Sequence, residues 1–90
     1  MNVRFRLTLG HIATRLAALA EQETALPADA YLERAEVRDE IASSWRLVAL
    51  ADDLPEDEPV GRLLLTAADT VAKRSADLAI VWRVMADARP

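Results

Sequence analysis

Ninety residues with a net charge of −4, 52% hydrophobic content and no cysteine make one small domain, and they exclude disulfides, Cys-ligated zinc and thiol chemistry. A chain this short buries only about 60 to 65% of its unfolded surface, so association that adds burial helps it. The apolar content is mainly Ala, Leu and Val, with two Gly and four Pro, a helix former's composition; the expected fold is all-α, a three-helix antiparallel bundle over residues 1–90, completed by dimerisation.

Charge is unevenly laid out along the chain. Residues 1–20 hold Arg4, Arg6 and Arg15 without an acid, which leaves −7 on the rest. That distribution argues against a uniform nucleic-acid coat but allows a basic N-terminal arm. Arg15 interrupts the apolar run of the N-terminus, which argues against a signal peptide, and a cytoplasmic location is expected.

Residues 1–9 carry two patterns at once. Val3, Phe5, Leu7 and Leu9 alternate with polar residues as in a half-buried strand or extended arm. Phe5, Leu9, Ile12, Leu16 and Leu19 also step by four and three, a helical seam. The seam accounts for residues 9–20 far better, so helix is expected from about residue 9 to residue 25. Pro27 suits the first turn of a second helix, and Asp29 the positive end of its dipole. So short a connection makes the first two helices an antiparallel pair.

The second helix is expected over about 28–53, with Tyr31, Val37, Ile41, Ala42, Trp45, Val48 and Ala49 on its apolar face. Arg34 and Arg38 project from that face at i,i+4 spacing. A charge inside an apolar stripe needs a partner. Ion bridges to Glu21 or Glu23 of the first helix serve that need; the sharper alternative is a two-arginine clamp for an anion or an acidic partner. Asp52, Asp53, Glu56, Asp57 and Glu58 then surround Pro55 and Pro59. They lack the ligand spacing and central glycine of a calcium loop, and are expected to be a solvated turn favouring the start of the third helix, over about 58–88.

That third helix ends in Leu78–Ala86, LAIVWRVMA, nine residues with one polar member. Val60, Leu64, Ala67, Val71, Ser75, Leu78, Trp82 and Met85 form one stripe, expected to be the core face. Leu65, Ala68, Ala72, Ala76, Ala79 and Ala86 form a seam of mostly small residues that lets another helix approach. The opposite face starts polar with Arg62, Thr66, Asp69, Lys73 and Asp77, then continues with Ile80 and Val84. Its last turns are apolar nearly all round, which calls for burial all round. The run is too short for a bilayer, which needs about 20 apolar residues. A protein partner is the expected cover, above all a second copy, with Leu78, Ile80, Val81, Trp82, Val84 and Met85 at the interface.

Chemistry has little to stand on. One histidine, His11, and no cysteine cannot build the usual zinc site; no ExxH pair offers a di-iron site; Ser43, Ser44 and Ser75 have no base nearby in the chain, and no glycine-rich phosphate loop occurs. No metal, cofactor or catalytic residue is expected, and Arg34, Arg38, Glu40 and Arg46 are the least implausible set for an enzyme.

Residues 3–41, an alternating segment, then RLAALAEQET, a turn and YLERAEVRDEI, resemble ribbon-helix-helix repressors and antitoxins. The resemblance implies DNA as partner, with Arg4, Arg6 and Thr8 at base edges and phosphate contacts from the start of the second helix. The chain departs from that family at the turn, where Pro27, Ala28 and Asp29 replace the usual glycine and serines. The residues themselves favour a non-catalytic interaction or assembly module, an adaptor, inhibitor or oligomerisation protein acting through its apolar last helix.

Overall fold

Thr8 sets where the first helix starts. Its backbone is extended, and its hydroxyl accepts a hydrogen bond from the His11 amide at 3.2 Å, satisfying one of the donors that a helix start leaves open. In the computed structural model, which describes residues 6–89, α1 follows as Leu9–Ala25. Residues 6–8 are neither helix nor strand, and residues 1–5, which carry most of the alternating pattern, lie outside the described residues. Leu26 turns to the extended region because Pro27 disfavours the helical conformation before it.

The second helix, α2, spans Tyr31–Arg46 and tightens into a 3₁₀ turn at Leu47–Leu50. It is shorter than the expected 28–53. Pro27 does not open it but begins a turn, closed by the Ala30 amide on the Pro27 carbonyl at 3.2 Å. The third helix, α3, runs Pro59–Asp87, with proline in its first turn where the missing N–H costs nothing. Gly61 is backed against the Pro55 carbonyl so closely that a side chain there would collide with backbone, which holds the 51–58 loop onto the first turn of α3.

The chain is therefore all-helical, with α2 in the middle. Arg38 of α2 meets Glu23 of α1, and Arg15 of α1 meets Ser44 of α2, so these two run antiparallel. Ser75 and Arg89 of the α3 segment reach Arg38 and Asp29 respectively, so α2 and α3 are antiparallel too. No Cα atom of α1 lies within 8 Å of one in α3. Side chains of the three helices meet where Ile12, Val48, Ala51, Leu54 and Ala68 form a core, with Leu9, Leu16, Trp45 and Leu64 packed against it.

Candidate functional site

What α3 turns toward α2 is small. Gly61, Ala68, Ala72, Ser75 and Ala79 are its buried residues. The Ser75 hydroxyl donates to the Arg38 carbonyl at 2.7 Å, a bond to backbone that requires the two helices to come close. This corrects the expected core face. Val60, Ala67, Val71 and Met85 of the large-residue stripe are exposed, and the small-residue seam is the packed side. Close approach of backbones selects small residues at the contact and leaves the large ones on the helix flanks.

The outer side of α3 accordingly carries large apolar residues toward its two ends, uncovered by the described residues. Leu63 is 69% exposed, Val84 61%, Ile80 58% and Val81 49%. Leu63, Ala67, Thr70, Arg74, Asp77, Val81, Val84 and Ala88 recur at steps of four and three, and all eight are exposed. At about 100° per residue this line lies opposite the one that packs on α2. Lys73 pairs with Asp69 at 3.0 Å. Arg74 and Asp77, at the middle of the line, have no ion pair among the described residues.

The six residues expected at a partner interface divide in two. Ile80, Val81, Val84 and Met85 are exposed. Leu78 and Trp82 are half-buried within the chain. Trp82 stacks on Tyr31 with ring centroids 5.8 Å apart and planes 11° from parallel, while the Arg34 guanidinium lies 5.6 Å from its ring centre. Arg89 sits over Tyr31 at 5.2 Å and reaches Asp29 at 3.2 Å. Stacked rings with cations over them thus pin the end of α3 to the start of α2. The Trp82 indole N–H is buried and finds no acceptor among the described residues.

Arg34 and Arg38 are both engaged inside the chain. Arg38 pairs with Glu23 through one hydrogen bond, from Nη2 to Oε1 at 2.6 Å, while Nε lies 2.5 Å from Oε2 without hydrogen-bond geometry. Arg34 instead donates to the Leu26 carbonyl at 3.0 Å and to the Pro27 carbonyl at 3.0 and 3.2 Å. It caps the chain leaving α1, where cations are favoured by the helix dipole. The carbonyls, and no acid, are what the sequence pattern of Arg34 failed to indicate.

The N-terminal set is likewise committed, as far as it is described. Arg4 lies outside the described residues, Thr8 is the cap of α1, and Arg6 faces Asp52 at 3.4 Å. Asp53 accepts from the Leu9 amide at 2.8 Å, and the Asp52 amide donates to the Leu7 carbonyl at 2.9 Å. These two acids therefore serve the start of α1, not that of α3. Nothing local signals it, because 44 residues separate Leu9 from Asp53.

Beside them a groove of about 430 Å³ opens between α1 and α2, with His11, Arg15, Ser43 and Ser44 among its lining residues. Arg15 Nε donates to the Ser44 hydroxyl at 3.1 Å, which donates in turn to the Glu40 carbonyl at 2.8 Å. Ser44 is thereby satisfied as a buried polar group. No cluster of three or more His, Asp or Glu able to hold a metal ion occurs among the described residues, and no helix there is long and apolar enough to cross a membrane. Compared with protein-family models, with curated proteins and with solved structures, the chain matches none.

Proposed function

We propose that the chain is a non-catalytic helical assembly module that binds a protein partner, foremost a second copy of itself, through the outer side of α3. One observation carries this. Six of the eleven buried apolar residues described are alanine, while Ile80, Val81, Val84 and Met85 stand 39–61% exposed side by side in the last turns of α3. Contiguous exposed apolar surface of this kind marks interaction sites. Ile80, Val81, Val84 and Met85 are 39–61% exposed, so covering what remains contributes about half of the 1.5–3 kcal/mol of a full burial apiece, which over two copies is comparable with the cost of association, about 4–15 kcal/mol. The apolar end alone therefore gives weak association, and the rest of the outer line of α3 is needed to strengthen it.

Reading the N-terminus as a DNA-contacting arm has less support, since Thr8 is spent on capping and Arg6 on Asp52. The test is light scattering after size exclusion on the parent chain and on Val81→Asp and Val84→Asp. Both positions are exposed, so the variants should keep the parent's helicity. The expected result is a dimer or larger species for the parent, and at least tenfold weaker association for each variant. A parent that stays monomeric at every accessible concentration, with no change on substitution, refutes the proposal.

A further inference from the structure

From the assembly reading above, on which this step rests, we infer that the partner is a second copy whose α3 lies antiparallel against this one, in a single register set by Arg74 and Asp77. The outer line of α3 is self-complementary when reversed. Setting Arg74 opposite the partner's Asp77 also sets Asp77 opposite the partner's Arg74, Thr70 opposite the partner's Val81 and Ala67 opposite the partner's Val84. Two ion pairs at the centre are then flanked on both sides by apolar contacts, as a two-fold interface requires.

Charge excludes the competing arrangements. A parallel, in-register pair would place arginine on arginine and aspartate on aspartate. An antiparallel pair slipped by one heptad keeps the lines facing but puts Arg74 opposite the partner's Thr70 or Val84, and Asp77 opposite the partner's Ala67 or Val81. Either slip covers an arginine and an aspartate without an opposite charge across the interface, which is costly. A polar group at one core position is a well-attested means of fixing register. Arg74 and Asp77 are suited to it because both are exposed and neither has an ion pair among the described residues.

The chain has no cysteine, so disulfide trapping reads the register directly. Thr70→Cys/Val81→Cys places thiols 11 residues apart on one helix, about 16 Å against the roughly 7 Å a disulfide can span, so only an interchain bond can form. The expected outcome is efficient covalent dimer from this variant and little from Leu63→Cys/Val81→Cys, which reports the slipped register. In the cysteine-free chain, Arg74→Asp and Asp77→Arg should each weaken dimerisation at least about tenfold, and the double exchange should restore it. Dimer by light scattering without the 70–81 bond, or without rescue by the exchange, overturns the register and leaves assembly standing. A monomeric parent overturns both.

Discussion

Arg38 and Glu23 lie where α1 and α2 touch, and their worth depends on how much water they have lost. Their side chains keep 29% and 18% exposure, and the paired Nε and Oε2 atoms are themselves buried. An exposed pair would contribute about 0–1 kcal/mol; breaking a fully buried one costs about 3–5 kcal/mol because a charge is left without compensation. This pair stands between. Glu23→Ala should therefore destabilise the chain by about 2 kcal/mol in denaturant unfolding. Because removing either partner strands the other, Glu23→Ala and Arg38→Ala should be strongly non-additive in a double-mutant cycle. Additive losses would mean that the two side chains act separately.

Among the elements, α1 has its first amide held by a distant part of the chain. The Thr8 hydroxyl and the Asp53 carboxylate take two of its first amides, and the Leu7 carbonyl ties the Asp52 amide to the same place. Asp53 is both hydrogen-bond acceptor and negative charge at the positive end of the helix. Asp53→Ala should cost about 1 kcal/mol, and Asp53→Asn less, since the amide oxygen still accepts but the charge is gone. The same substitution should speed amide exchange at Leu9 ahead of the middle of α1. Unchanged exchange at Leu9 would show that the contact contributes nothing to holding the helix start.

In the whole molecule, thickness limits the core. The Cα atoms span 52 × 33 × 19 Å, and α1 and α3 flank α2 with no Cα pair between them within 8 Å. Few large side chains can be enclosed on all sides in such a shape, which agrees with alanine making up six of the eleven buried apolar residues described. If a second copy covers the outer side of α3, association and folding are linked by mass action. The thermal midpoint should then rise with protein concentration, by several degrees for each tenfold step, since about 1.4 kcal/mol of dimer accompanies such a step and about 2–4 °C each kcal/mol in a unit of two such chains. A midpoint that is flat over a hundredfold range of concentration would show that one chain is stable by itself.

The limits of α1 and the start of α3 were legible in the residues because what sets them is local, whereas α2, expected over 28–53, spans Tyr31–Arg46. Leu9 and Ala25 bound α1 as the Leu9–Ile12–Leu16–Leu19 period and Pro27 imply, and Pro59 opens α3; the Thr8 cap was not read from the residues. The Arg38–Glu23 bridge was legible as well, since a charge on an apolar stripe demands a partner from the neighbouring helix. Which side of α3 packs was not. Both lines have helical spacing, and the one with larger residues looks like the better core by hydrophobicity alone. Helix packing favours the small one, because Gly61, Ala68, Ala72 and Ala79 let α3 come near enough for Ser75 to bond the backbone of α2. Long-range capping by Asp53 and the turning of Trp82 inward onto Tyr31 were decided only in the tertiary structure. Period, caps and prolines act within a few residues, whereas these contacts depend on the distance between helices, which is known once they are packed.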